Sequence, residues 1–330
     1  MSIEVIKPGL LTTLVSTRRE GARYLGVGPT GAMDEFALQV GNFLTGNPTA
    51  LATLEMHFPA PEFFFQTSHL VSVTGIGFEV KADDRTIPLW KPFLVRKGAT
   101  LKFGKTSGGN RAYFSLHGGW RAQEWLGSST TNLNARMGGH AGRALQKGDL
   151  LETNKTVPWG NELKILPWEI STNELKKIYF PDDEVRCTES AETDLLSRES
   201  IEKLFSSSFT VLPQSNRMGY RLEGEKLFLA KPIELISSAV DFGTIQLLPD
   251  GNMVILTADH QTTGGYPRVA SIIKPDLPKV AQRTAHDKIK FKLISQREAE
   301  LQLEARAKLT EDIKSACLSQ YKTYFKAWAT

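Results

Sequence analysis

The sequence has few of the residues that mark secreted or metal-binding proteins. Its 330 residues include two cysteines, Cys187 and Cys317, which form no Cys-x-x-Cys pair. Neither a disulfide framework nor a thiolate metal site is therefore indicated. The six histidines show no His-Glu-x-x-His or other ligand spacing, and no Gly-x-Ser-x-Gly string is present. These absences favour a reducing compartment and argue against a metal or serine-nucleophile site.

Long apolar runs and long runs of one charge are also missing. No apolar stretch approaches the roughly 18 residues that cross a bilayer, and Glu4 and Lys7 interrupt the place of a signal-peptide core. The formal net charge is +4, with lysines and arginines scattered among acids. We therefore expect a soluble cytoplasmic protein that binds neither a membrane nor nucleic acid.

Short segments rich in β-branched and aromatic residues dominate the chain. Typical examples are residues 70–74, 112–116 and 253–257, each bounded by turn-forming residues. A helical pattern is clearest at 34–44, where Asp34 is a natural N-cap. The fold class predicted from these patterns is mainly β with a few helices.

A helical tail is predicted after Gln296, because apolar and aromatic residues recur there every four positions. This stripe winds around a helix, which favours packing on the parent domain over a flat coiled-coil seam. Strand spacing weakens around 153–192, which indicates a connection between two halves. We predict an N-terminal unit at 1–165, a second unit at 166–296 and a helical tail at 297–330. The stripe consists of Leu301, Ala305, Leu309, Ile313, Cys317, Tyr321 and Phe325.

The first polar cluster is a glycine-rich loop at 26–34 that runs into the predicted helix. Backbone amides at such a junction can hold an anion. A capping carboxylate from Asp34 would occupy those amides and repel a phosphate. Capping is the favoured interpretation of Asp34, with a catalytic role as the alternative.

The second cluster, at 261–268, is the densest polar group in the chain and contains Gly264 and Gly265. Two glycines permit a tight turn or close approach to a ligand, while Arg268 can bind a carboxylate or phosphate. A simple hairpin turn is the alternative, although it leaves the glutamine and two threonines unexplained. The third cluster, at 216–221, contains two arginines, Arg217 and Arg221, whose guanidinium groups would face an anionic substrate or, equally, solvent.

Several strings recur in order along the chain and carry a resemblance to a known family. They are 7–10, 31–34, 46–48, 54–55, 111–113, 118–119, 126–128, 142–143, 148–149, 217–222, 243–246 and 261–267. The most specific is the Thr-Thr-Gly-Gly-Tyr-Pro sequence at 262–267. In these strings the chain resembles the carboxyltransferase-domain A/B family, which includes KipA-like proteins, the C-type subunit of bacterial 5-oxoprolinase and allophanate hydrolase subunit 2-like proteins.

The resemblance implies two linked β-barrel-like units of cyclophilin-like fold. It also implies a heteromeric enzyme, in which a KipI-like B-type subunit together with a LamB/YcsF-like A-type subunit joins this chain. That enzyme opens 5-oxo-L-proline to L-glutamate with ATP, as an ATP-dependent lactam hydrolase, and any Mg²⁺ would be held by the complex. The alternatives are half of a biotin-dependent urea or amide carboxylase, and a non-catalytic regulatory partner of a KipI-like protein.

Site roles follow from the clusters and the resemblance together. Catalytic roles are expected for Arg217, Asp34 and Thr263. Binding of substrate or nucleotide is expected for the other cluster residues, which are Gln261, Thr262, Gly264, Gly265, Tyr266, Arg268, Gly31, Met33, Asn216 and Met218.

The chain departs from the family pattern near its start. Where the family carries Gln-Asp-x-Gly-Arg, this chain has Val-Ser-Thr-Arg-Arg at 15–19 and retains only Arg19. Asn216 stands where an aspartate is common. These losses motivate the non-catalytic alternative. No Met-Lys-Met biotinyl string occurs in the chain, so the carboxylase alternative requires a separate biotin carrier.

Overall fold

A computed structural model describes residues 2–106, 108–156, 162–179 and 184–326. Contacts divide the chain into two compact units that are each discontinuous in sequence. The first, here called the sheet unit, comprises Met1–Arg19, Asp34–Thr172 and Leu309–Thr330. The second, the barrel unit, comprises Glu20–Met33 and Asn173–Lys308. Parts of the predicted connection, at 157–161 and 180–183, lie outside the described residues.

The sheet unit contains twelve strands and helix α1 among the described residues. Its elements in chain order are β1 Ser2–Lys7, β2 Thr12–Val15, α1 Glu35–Leu44, β3 Thr53–His57, β4 Glu62–Phe65, β5 His69–Ile76, β6 Phe78–Ala82, β7 Arg85–Ile87, β8 Pro92–Val95, β9 Thr100–Lys105, β10 Arg111–Leu116, β11 Leu150–Glu152 and β12 Lys164–Ile165. They form two six-stranded sheets, ordered β11-β1-β4-β9-β6-β7 and β12-β8-β5-β10-β3-β2.

The core of the sheet unit combines inward-facing residues of both sheets. Phe63 and Phe65 come from one sheet and Phe114 from the other, and all three are fully buried. Helix α1 packs on β5 and β10. Gly41 permits this approach, because a Cβ there would lie 2.7 Å from the Ser115 hydroxyl.

The barrel unit is built around a closed seven-stranded barrel, in the order β13-β20-β17-β18-β15-β14-β21. Strands β13 and β21 are parallel, and the other barrel pairs are antiparallel. Strands β16 and β19 pair separately. The elements from residue 172 onward are α2 Thr172–Tyr179, β13 Glu184–Thr188, α3 Arg198–Ser206, β14 Ser208–Val211, β15 Gly219–Glu223, β16 Ser238–Ala239, β17 Thr244–Leu247, β18 Met253–Leu256, β19 Thr263–Gly264, β20 Arg268–Ile272, α4 Leu277–Ala281, β21 Lys288–Leu293 and α5 Gln296–Lys326.

Helix α5 confirms the predicted tail, but only part of its apolar stripe is buried. Within the sheet unit, Tyr321 stacks on His117 with ring centroids 5.4 Å apart, and Cys317 is 5% exposed. By contrast, Leu301 is 45% exposed. The predicted packing therefore holds for the C-terminal part of the stripe, where aromatic side chains supply the contact area.

The mainly β class and the predicted strands at 70–74, 112–116 and 253–257 are confirmed, apart from Thr257, which follows β18. Helix α1 begins after Asp34, whose carboxylate accepts the Ala37 amide at 3.0 Å, so the predicted N-cap is also confirmed. Within the described ranges, no helix has both the length and the apolar character needed to cross a membrane.

Candidate functional site

The second polar cluster, here called the polar loop, occupies residues 261–268 of the barrel unit. Thr263 and Gly264 form β19 and pair with β16, with Ala239 opposite Thr263. Neither Gly264 nor Gly265 has a positive φ angle, so the two glycines do not make a tight hairpin turn. Thr263, Gly265 and Tyr266 are exposed.

The side chain of Gln246 in β17 lies close to Gly264. A Cβ at Gly264 would lie 2.5 Å from Gln246 Nε2, so any other residue there would have to displace the Gln246 amide. Gln246 Nε2 donates to the Tyr266 carbonyl at 3.3 Å, and Gln261 Nε2 donates to Gln246 Oε1 at 3.4 Å. The buried Gln246 amide thus orders the loop. No local pattern in the sequence selects this residue, although it lies in one of the family-like strings.

Arg268 at the end of the polar loop forms a bidentate ion pair with Glu192. Its Nε and Nη2 donate to the two carboxylate oxygens at 2.8 and 2.7 Å, and its Nη1 donates to the Ala239 carbonyl at 3.1 Å. Hydrogen bonds from Arg268 lower the pKa of Glu192. The predicted binding of an anionic ligand by Arg268 stays a prediction, and such a ligand would have to compete with Glu192.

Arg217 is buried and fully oriented. Its side chain is 7% exposed. Its Nε and Nη2 donate to the Asp259 carboxylate at 2.8 and 2.9 Å, and Nη2 also donates to the Gly31 carbonyl at 2.7 Å. The interpretation of Arg217 as a solvated charge is therefore wrong, because its guanidinium holds the glycine-rich loop against the segment before the polar loop. Its catalytic role stays a prediction.

The residues beside Arg217 and Gly31 are placed differently from one another. The Asn216 side chain accepts the Met218 amide at 2.8 Å, and Met218 is 45% exposed. Met33, in contrast, belongs to the apolar core of the barrel unit and is 1% exposed. Binding roles for Asn216 and Met218 stay predictions, and the buried position of Met33 favours a packing role.

The glycine-rich loop is attached to the barrel unit at further points. A Cβ on Gly28 would lie 2.8 Å from the His260 carbonyl. Arg23 donates to the Val240 carbonyl at 3.1 Å and to Asp241 at 3.0 Å. The barrel unit thus brings together Gly31, Arg217 and the polar loop.

Asp34 lies in the sheet unit, within a buried polar network. Its backbone N–H donates to the Tyr113 hydroxyl at 2.7 Å, and that hydroxyl donates to Glu55 at 2.7 Å. Glu55 also lies 3.6 Å from His57 and 3.9 Å from Arg111. Burial, followed by the nearby charge of Glu55, raises the pKa of Tyr113 well above its usual value. Tyr113 therefore remains a neutral donor that fixes the start of α1.

The altered segment at 15–19 is built into the sheet unit. Ser16 donates its backbone N–H to the Thr130 hydroxyl at 2.8 Å, and Ser128 lies 3.3 Å from the Ser16 hydroxyl. The retained Arg19 is 3% exposed and lies over the Trp125 ring, 4.8 Å from its centroid. Small hydroxyl groups thus form a hydrogen-bonded cluster where the family pattern has an amide and a carboxylate.

The chemistry available at the polar loop is mainly neutral. The two arginines are balanced by Asp259 and Glu192, while the loop presents hydroxyl, amide and backbone groups. No cluster of three or more metal-ligating side chains occurs in the described part of the chain. The arrangement suits recognition of a small polar molecule through directed hydrogen bonds.

Comparisons with known proteins identify relatives of this chain. The model of the family "Carboxyltransferase domain, subdomain A and B" matches residues 25–293. The chain is 34% identical to the C-type subunit of 5-oxoprolinase from Haemophilus influenzae, over 90% of this chain and 93% of that protein. It is 31% identical to a putative urea carboxylase of Emericella nidulans, covering 96% of this chain and 26% of that protein.

A solved structure provides the same link at the level of fold. The crystal structure of the Kluyveromyces lactis urea amidolyase superposes with a TM-score of 0.86 at 29% identity, covering 94% of this chain and 20% of that one. These relatives are enzymes or parts of enzymes. This chain belongs to the family of carboxyltransferase domains with subdomains A and B.

Proposed function

We propose that this chain is the C-type subunit of an ATP-dependent 5-oxoprolinase, which opens 5-oxo-L-proline to L-glutamate. In this proposal it works with a KipI-like B-type subunit together with a LamB/YcsF-like A-type subunit. The observation that carries the proposal is the extent of the similarity. The match covers 93% of the Haemophilus influenzae 5-oxoprolinase chain but 26% of the putative urea carboxylase.

The neutral groups of the polar loop support binding of the lactam ring of the substrate. A lactam offers one amide donor and one carbonyl acceptor, which match the side-chain amide of Gln261 and the hydroxyls of Thr262 and Thr263. We assign these groups to substrate orientation. The amides at Gly264 and Gly265 are assigned to stabilising charge on the amide oxygen, and Arg217 to holding the glycine-rich loop in place. Asp34 remains the cap of α1, and no catalytic step is assigned to it.

ATP supplies the phosphoryl group that activates the amide oxygen in this proposal. The polar loop does not fit a triphosphate well, because Arg217 and Arg268 are each already paired with a carboxylate. The N-terminus of helix α1 offers no better phosphate site, since its first turn contains Glu35 and its cap is Asp34. We therefore assign ATP to the assembled complex and to no site formed by these residues.

The proposal is tested by measuring glutamate formed from 5-oxoproline and ATP, using the three purified chains together and with each chain omitted in turn. We expect turnover only in the complete mixture. Full turnover without this chain would contradict the proposal.

A variant locates the site within the same assay. Thr263→Val keeps the shape of the side chain and removes its hydroxyl, so we expect turnover to fall about tenfold, as for one lost hydrogen bond. Thr210→Val in β14 is the matched control and should leave turnover unchanged. Equal rates for both variants would exclude the Thr263 hydroxyl from the reaction.

A second candidate function is half of a biotin-dependent urea or amide carboxylase. The structural similarity to the Kluyveromyces lactis urea amidolyase favours it. In that case a biotinylated carrier would be required, and it would copurify with this chain on streptavidin. Urea-dependent and bicarbonate-dependent ATP hydrolysis with such a carrier would identify this activity.

A further inference from the structure

The segment 231–237 of the barrel unit, here called the docking strand, begins at a bend at Lys231 and then runs extended and unpaired. The chain makes no turn or bend from 232 to 237. Within the described part of the chain, none of the backbone N–H or C=O groups of 231–237 makes a hydrogen bond. The run is sharply bounded, because Ala230 N–H donates to the Leu195 carbonyl at 2.8 Å and Ser238 enters the β16–β19 pair.

The docking strand also exposes large β-branched side chains. Ile236 is 93% exposed and Ile233 is 47% exposed. The strand lies beside the polar loop, since a Cβ on Gly265 would lie 3.3 Å from the Ser237 hydroxyl. Tyr266, next along the polar loop, is 46% exposed. Apolar side chains and unsatisfied backbone groups therefore occur together in one extended segment.

A strand with these properties is a template for another strand. Unpaired backbone groups in an extended run attract a second chain, and exposed β-branched residues add apolar contact once that chain is in place. We propose that the docking strand receives an extended segment of a different protein chain by backbone pairing, with Ile233 and Ile236 as its apolar anchors.

The charges of the docking strand decide between a second copy and a different chain. Antiparallel pairing of all seven residues with a second copy would put Glu234 opposite Glu234, and like charges directly opposite destabilise a sheet. Pro232, which has no N–H, would then lie opposite Ile236. A different chain avoids the repulsion by placing Lys or Arg opposite Glu234, and the missing N–H of Pro232 then occurs once instead of twice. The inference rests on the proposed function for the identity of the partner, which is then the KipI-like B-type subunit.

The first test measures the dissociation constant between this chain and the purified B-type subunit. Ile236→Asp should weaken binding by at least about tenfold. Leu303→Asp, which alters an apolar side chain that is 45% exposed on α5, should leave binding unchanged. Far-ultraviolet circular dichroism checks that both variants are folded. Equal binding by wild type and Ile236→Asp overturns the inference, as does failure of the wild type to bind.

The second test separates backbone pairing from side-chain contact. Successive N–H groups of a strand point to opposite edges, so Leu235→Pro and Ile236→Pro remove donors from different edges. We expect one proline variant to bind at least about tenfold more weakly than the other. Equal affinities overturn backbone pairing. Self-association in sedimentation equilibrium that Ile236→Asp abolishes would assign the strand to a second copy and also overturn the inference.

The outcomes for the inference and for the proposed function are distinguishable. Binding that depends on Ile236, without 5-oxoproline turnover in the complete mixture, would support the docking strand and contradict the proposed reaction. Turnover in the complete mixture with unchanged binding by Ile236→Asp would support the proposed reaction and contradict the docking strand.

Discussion

Replacing Arg217 with lysine tests whether this residue is primarily a structural clamp. The guanidinium makes two hydrogen bonds to Asp259 and one to the Gly31 carbonyl. A lysine keeps the charge but presents a single point donor, so about two of these contacts are lost. Hydrogen bonds to charged groups contribute about 1.5–3 kcal/mol each. After relaxation, we expect the free energy of unfolding to fall by about 3 kcal/mol.

Urea denaturation followed by far-ultraviolet circular dichroism measures this loss. With a slope of about 3 kcal/mol per M, the midpoint should fall by about 1 M. Hydrogen exchange should also accelerate at the Asp259 amide, which donates to the Arg217 carbonyl at 2.7 Å. Arg221→Lys in β15 is the control, because its exposed side chain should tolerate the change within about 0.5 kcal/mol. Unchanged stability of Arg217→Lys with collapsed turnover would refute the clamp and favour direct contact with substrate.

Three further predictions concern Tyr113, His69 and Gly264. Tyr113→Phe leaves the Glu55 carboxylate without its hydroxyl donor, and urea denaturation should show a loss of about 2 kcal/mol. Burial lowers the pKa of His69 to about 4. As the pH falls below about 6.5, the histidine is therefore protonated in the unfolded chain before it is protonated in the folded chain, and the folded chain loses stability. His69→Gln should therefore remove about 3 kcal/mol of the stability that the wild type loses between pH 7 and pH 4, measured by denaturation at each pH. Gly264→Ala places a methyl group against Gln246 and should lower the thermal midpoint and 5-oxoproline turnover together, and an effect on neither would contradict the packing.

Local patterns were sufficient to predict most elements of the fold. Alternating or continuous apolar runs marked the strands, and the carboxylate of Asp34 marked the start of α1, because strand faces and helix caps depend on neighbouring residues. The four-residue stripe predicted α5. The stripe could not show where the helix has a surface to pack on, so it did not distinguish the exposed Leu301 from the buried Cys317.

Local patterns did not predict the ion-pair partners of Arg217 and Arg268. Asp259 is 42 residues from Arg217, and Glu192 is 76 residues from Arg268. Ion pairs between residues so far apart in sequence depend on the order of the barrel strands, and no local sequence pattern contains that order. Gln246 was missed for the same reason, because its role arises from the close approach of Gly264. Met33 was predicted to bind a ligand because it lies in a family-like string, but it is a core residue of the barrel unit.

A subunit of a 5-oxoprolinase must support ATP hydrolysis that depends on 5-oxoproline. The most direct measurement compares ATP hydrolysis by the complete three-chain mixture with 5-oxoproline as substrate against the same mixture with urea and bicarbonate. We expect hydrolysis coupled to glutamate formation with 5-oxoproline and background hydrolysis with urea. Hydrolysis that depends on urea, bicarbonate and a biotinylated carrier, with none from 5-oxoproline, would contradict it.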